Sequence, residues 1–96
     1  MALEVTVHTK DACGECVKTK NALNLRQVPH QTIHVADDQV EKIEQLRDIA
    51  EQMGVGATMP FVQVIDTTTG EAEQWFGHRP DKIVEHITTK RSRKQS

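Results

Sequence analysis

No apolar run in this 96-residue chain approaches the roughly 20 residues needed to span a bilayer, which excludes a transmembrane helix. The start, Met1-Ala2-Leu3-Glu4-Val5, lacks the basic region and apolar core of a secretory signal. The expectation is a cytoplasmic protein in a reducing compartment, where a permanent structural disulfide is out of place. Cysteine is scarce, with only two in the chain. No internal repeat or low-complexity segment divides the sequence, so one domain is expected over residues 1–89, followed by a tail at 90–96.

Hydrophobic residues make up 36% and charged residues 27%, the balance of a soluble globular domain on the polar side. Net charge is −2, unevenly spread. The last seven residues hold four of the twelve basic residues and none of the fourteen acidic ones, so the body carries −6. A basic tail suits nucleic acid or an acidic protein face, or is simply a solvated end. Nothing aromatic interleaves with these charges, which argues against single-strand nucleic-acid binding. No oligomer signal is legible, and a monomer is expected.

Periodicity supplies the elements. Leu3, Val5 and Val7 alternate with Glu4, Thr6 and His8, marking a strand. Helix formers run from Gly14 to about Gln27, with Val17, Ala22, Leu23 and Leu25 as apolar members, until Pro29 bars continuation. Gln31 to Val35 is a second strand, β-branched at three positions. Asp37 and Asp38 are candidate N-caps, Asp38 with Glu41 resembling a capping box. Val40, Ile43, Leu46, Ala50 and Met53 form an amphipathic helical stripe that ends at Gly54. Phe61–Ile65 and Glu71–Phe76 flank the turn material Asp66–Gly70, a hairpin pattern. Pro80 opens a last helix with Asp81 in its first turn and Ile83, Val84 and Ile87 as its buried face. The order is β-α-β-α-β-β-α: an α/β fold with a four-stranded mixed sheet flanked by three helices.

The two cysteines, Cys13 and Cys16, follow the first strand and open the first helix. At a helix N-terminus, unpaired N–H groups and the dipole favour a thiolate. Cys13 is then the attacking thiolate and Cys16 the resolving thiol that breaks the mixed disulfide. Glu15 opposes thiolate formation, while Lys10, Lys18 and Lys20 favour it. Two other readings compete: a pair of small buried residues, or zinc, since His30 and His34 follow at finger-like spacing. Zinc fails on geometry. The stretch around Gln31-Thr32-Ile33 is strand-like, so His30 and His34 stand roughly 13 Å apart, whereas both ligands must lie about 2 Å from one ion. One chain has too few thiolates for an iron–sulfur cluster, which leaves ligation by a pair of chains open.

Cys13-Gly14-Glu15-Cys16, Thr19-Lys20, Ala22-Leu23, Met59-Pro60 and Trp75-x-Gly77-x-Arg79-Pro80-Asp81 resemble a glutaredoxin-like protein of the thioredoxin superfamily, nearest the NrdH-type redoxins. The resemblance runs from about Val5 to Ile87. It implies a thioredoxin/glutaredoxin fold and a disulfide oxidoreductase that needs no cofactor beyond its own Cys13–Cys16 disulfide. It also implies NADPH-dependent thioredoxin reductase as reductant and ribonucleotide reductase as electron acceptor. Pro60 becomes a cis-proline facing the cysteines, with Thr58 and Met59 docking the substrate chain. Lys10, Trp75, Gly77, Arg79, Pro80 and Asp81 become supporting residues.

The chain departs from the pattern in places. Phe76 and His78 stand where such redoxins usually carry Ser or Thr and an aromatic residue, and Gly14-Glu15 is unusual between the cysteines. Ordinary glutaredoxins have Pro-Tyr there and a late Gly-Gly followed by Asp that helps hold glutathione; this chain has neither. Glutathione as reductant is therefore the alternative within the class, with Lys10 available to its carboxylate. A metal-binding or interaction module using the Cys pair is the alternative from another class.

Overall fold

A computed structural model describes residues 3–88. The expected domain limit at residue 89 and the basic tail at 90–96 lie outside the described residues. Four strands form one sheet in the order β2-β1-β3-β4: β1 (Leu3–Thr9), β2 (Gln31–His34), β3 (Phe61–Asp66) and β4 (Ala72–Phe76). β1 runs parallel to β2 and antiparallel to β3, and β3 pairs antiparallel with β4. The helices are α1 (Gly14–Leu25), α2 (Val40–Met53) and α3 (Pro80–Ile83), the last continuing as a π-helical turn over Val84–Thr88. The expected element order and the mixed sheet are both present.

Side-chain alternation along the strands makes two cores. On one face Val5, Val7, Val62, Val64 and Trp75 pack with Leu23 of α1 and with Ile83 and Ile87. On the other face Val35, Phe61 and Phe76 pack with Leu46 and Ala50 of α2, and Ile43, Ile49 and Met59 lie against them. Phe61 and Phe76, opposite each other in register, stack with ring centroids 4.4 Å apart.

Both long helices stop by the same device. After α1, Gln27 takes a left-handed φ of 56°, Val28 N–H donates to Leu23 C=O and Gln27 N–H to Asn24 C=O. This Schellman pattern satisfies the last carbonyls and buries Val28 beside Leu23, ending α1 before Pro29 has any say. After α2, Gly54 at φ 72° does the same, with Val55 N–H on Ala50 C=O. A side chain at Gly54 would force that left-handed backbone at a steric cost.

Three expectations need correction. Neither Asp37 nor Asp38 caps α2; both lie in a turn, and the N-cap is Gln39, without a side-chain cap bond. Gln39 Oε1 instead accepts from Ala36 N–H at 2.8 Å, closing the turn so that the helix starts too late for either aspartate. Val84 is exposed, because the widened π turn stacks Ile83 and Ile87 inward and leaves Val84 at the side. Val40 and Met53, at the two ends of the α2 stripe, are also exposed, since the sheet beneath covers only the middle of the helix.

Candidate active site

β1 ends at Thr9, and the chain turns through Asp11 and Ala12 into α1. Ala12 is a non-glycine residue with φ 53°, a conformation worth about 1–3 kcal/mol of strain. It aims Cys13 into the N-cap position of α1, in extended geometry. The Cys13 sulfur accepts from the Cys16 backbone N–H at 3.1 Å, the bond a capping oxygen makes elsewhere. It therefore sits in the positive field of the helix start, where negative charge on sulfur is stabilised.

The two sulfurs are joined as a disulfide, with Cα atoms 5.2 Å apart. Their surroundings differ. Cys13 is half-buried at the rim of an open groove, whereas Cys16 is 2% exposed. The groove is lined by both cysteines together with Lys10, Asp11, Lys20 and His34. Asp11 accepts from His34 Nε2 at 2.8 Å, tying the loop before Cys13 to the end of β2. Glu15 meets Lys18 at 3.4 Å on the outside of the helix, so the acidic residue between the cysteines is paired and does not line the groove.

Met59–Pro60 is a cis peptide bond, and Pro60 is buried at the start of β3. Its neighbour Phe61 pairs with His8 on β1, five residues before Cys13. Met59 lines a separate cleft of about 220 Å3 with Val35, Ile43, Leu46, Ala57, Asp37, Arg47 and Lys10. Lys10 thus borders both the disulfide groove and this cleft.

The glutaredoxin family profile matches residues 5–65, which takes in both cysteines and Met59–Pro60. The chain belongs to the glutaredoxin family. It is a thiol–disulfide oxidoreductase, and Cys13–Cys16 is the only cysteine pair it has for that chemistry. Among solved structures it is similar to NrdH-redoxin of Escherichia coli, with 24% identity and a TM-score of 0.57 over 86% of this chain and 93% of that one. Glutaredoxin grx-1 of Archaeoglobus fulgidus is 18% identical at a TM-score of 0.61, over 86% of this chain and 84% of that one. Glutaredoxin 1 of Francisella tularensis is 19% identical at 0.59, over 88% and 99%. At these identities the likeness is one of fold. No curated protein matches the chain significantly.

The remaining residues singled out from sequence are scattered. Thr58 is exposed, its N–H bonded back to Gly56 C=O. Trp75 lies in the core beside α1 and α3, stacked on His86, not in the groove. Gly77, at φ 86°, donates its N–H to Pro60 C=O at 2.8 Å. Arg79 donates two bonds to Asp81, at 3.2 and 3.0 Å; the hydrogen bond and the opposite charge raise the guanidinium and lower the carboxyl from their ordinary ranges. Pro80 occupies the first turn of α3. His30 Nδ1 is on Val28 C=O and His34 is on Asp11, and among the described residues no group of three or more metal-type ligands gathers. No described helix is long and apolar enough to cross a membrane.

Sequence reasoning gave no site role to Arg47 or His8, and gave Thr19 none beyond its place in the family motif. Arg47 enters the Met59 cleft from α2, one position off the apolar stripe. His8 is buried against Phe61, its ring 5.3 Å away, with Nδ1–H donating to Phe61 C=O; burial lowers its pKa, the hydrogen bond opposes this, and Lys42 adds to the lowering. Thr19 is fully buried one turn beyond Cys16 and bonds to His78. The signal for the last was a hydroxyl at i+3 from the second cysteine, on its face of the helix.

Proposed function

We propose that this protein is a dithiol redoxin that reduces protein disulfides, with thioredoxin reductase as its reductant and ribonucleotide reductase as its acceptor. The observation that carries the reading is the asymmetry of the pair: a half-exposed sulfur at the helix N-cap and a buried one a turn behind it. The Cys13 thiolate attacks one sulfur of the target disulfide, forming a mixed disulfide and expelling the other target sulfur as a thiolate. Cys16, deprotonated, attacks Cys13 Sγ, re-forms Cys13–Cys16 and releases the second target thiolate; both thiolates take protons from water. Two electrons pass to the target, and no further cofactor is needed. The target chain docks at Thr58, Met59 and cis-Pro60. The E. coli NrdH-redoxin is described as having a thioredoxin-like activity profile, which favours thioredoxin reductase for this similar chain. A reducing cytoplasm is the compartment that keeps such a dithiol supplied.

A second reading has one observation in its favour. Lys10 and Arg47 flank the Met59 cleft, a place for an anionic group such as a glutathione carboxylate. NADPH consumption with one small disulfide as acceptor separates the two: turnover with thioredoxin reductase supports the first, and turnover only with glutathione and its reductase overturns it. In the second case Arg47→Ala lowers the glutathione-driven rate. Cys16→Ser traps the acceptor through Cys13, and recovery of no mixed disulfide would count against the mechanism itself.

A further inference from the structure

α1 has little apolar surface with which to hold itself down. Of its twelve residues only Cys16, Thr19 and Leu23 are buried, while Val17 and Leu25 stand 53% and 82% exposed. Leu23 anchors the C-terminal half. The half that carries the cysteines is left with Cys16 itself and Thr19.

Thr19 has a specific partner. Its hydroxyl meets His78 Nδ1 at 2.9 Å, across a sequence separation of 59 residues. A buried hydroxyl stripped of this bond is costly, about 1–3 kcal/mol, so the contact is strongly preferred over a gap. The residue just before His78 holds something else: Gly77 N–H donates to Pro60 C=O at 2.8 Å. Two consecutive residues therefore grip the two sides of the site, one the redox helix and the other the cis-Pro60 loop.

We propose that Gly77–His78 is a clasp that sets the redox helix against the Met59–Pro60 edge, and that Thr19 and His78 are positioning residues for attack on disulfides in folded proteins. This rests on the reading that Cys13 attacks while the target chain docks at Met59–Pro60. A protein disulfide must be gripped and attacked at once, and a small misplacement of the two sides costs rate. A small disulfide needs only an accessible Cys13. The bond holds in either state of the ring: neutral Nδ1 accepts the threonine O–H or donates to its oxygen, and the imidazolium donates.

The test uses the full chain, reduced with dithiothreitol and freed of it, so that no reductase is involved. Oxidation by insulin and by bis(2-hydroxyethyl) disulfide is followed on the redoxin itself, by acid quench, alkylation of the remaining Cys13 and Cys16 thiols and mass spectrometry, since the exchange conserves total thiol; hydrogen exchange of the amides at 16–20 is measured alongside. Thr19→Val and His78→Leu are each expected to slow the insulin reaction about tenfold while the small disulfide stays within about twofold. The double variant should be no slower than either single one, since both remove the same bond. Thr19→Ser and His78→Asn, which keep a hydroxyl and a ring-nitrogen mimic, should restore the insulin rate. Equal losses on both disulfides, additive losses, or no loss overturn the clasp. If the unaltered protein oxidises with neither disulfide, the proposed function fails and the positioning role falls with it; if it oxidises with both, unchanged exchange at 16–20 in the variants overturns the clasp alone.

Discussion

α1 and α2 are of similar length, lie on opposite faces of one sheet, and are held by different means. α2 presents Ile43, Leu46, Ile49 and Ala50 to Val35, Phe61 and Phe76, an apolar seam of the ordinary kind. α1 presents a sulfur, a hydroxyl and one leucine. The scaffold helix is secured by area removed from water, which is insensitive to small changes of angle. The redox helix has one large apolar anchor, the buried Leu23, and otherwise directional contacts: the Cys16 N–H to Cys13 Sγ bond at its start and the Thr19–His78 bond. Directional contacts give less stabilisation per residue but fix orientation, which is what a reacting sulfur requires.

The largest expected effect lies on α1 alone. Cys13→Ser should abolish disulfide reduction, a loss of at least about 10³-fold in single-turnover assays, because the one other thiol, Cys16, is 2% exposed. No single substitution on α2 should approach this, and one that did would break the contrast.

Core truncation comes next and sharpens it. Leu23→Ala and Leu46→Ala should each cost about 2–5 kcal/mol in denaturant unfolding, the Leu46 variant towards the lower end because that residue is less completely buried. Only Leu23→Ala should also speed hydrogen exchange around Cys16, since Leu23 is the sole large apolar anchor of α1. Equal loosening by both would mean the two helices are not independently held.

A smaller effect belongs to the α2 side, where His8 sits against Phe61 with Lys42 of α2 nearby. Burial, as the leading cause, lowers its folded pKa below the ordinary value of 6.5. Between the folded value and 6.5 the unfolded chain binds more protons, so stability is full above about pH 6.5 and is lost as pH falls towards the folded value. His8→Gln should flatten this part of the stability–pH curve, whatever its effect at neutral pH. An unchanged slope from thermal melts between pH 7 and 5 would remove His8 from the account.

The smallest effect is expected at the cysteine motif's own oddity. Glu15 and Lys18 are exposed, and pairs of this kind contribute about 0–1 kcal/mol. Glu15→Gln should change stability by under about 0.5 kcal/mol, and the change should shrink further in salt. A large change in thiol reactivity at pH 7 would show that Glu15 acts on Cys13 despite its pairing.

Much of the fold was legible because its signals are local. The alternation of Leu3, Val5 and Val7, the α2 stripe with Gly54 behind it, and the Asp66–Gly70 turn each depend on neighbours a few residues away. The misses have the opposite character. Asp37 and Asp38 looked like caps by type, but the Gln39 side chain folding back on Ala36 moved the start of α2. Val84 has the right residue type for a buried face, and only the π turn after Ile83 turned it outward.

For the site the division is sharper. The sequence by itself determined the chemistry: two cysteines at the start of a helix that follows a strand, with Met59-Pro60 and Gly77 further along. The proposed stabilisation of a Cys13 thiolate by the helix start, and the proposed resolution by Cys16, need only that local order. The tertiary structure alone decided how the parts face one another, through Thr19 on His78, Gly77 on Pro60, and Arg47 brought to Met59. The physical reason is the range of the forces: propensity and capping act within a turn or two of chain, whereas buried hydrogen bonds and packing between α1, β3 and the loop after β4 exist only once the sheet has brought them together.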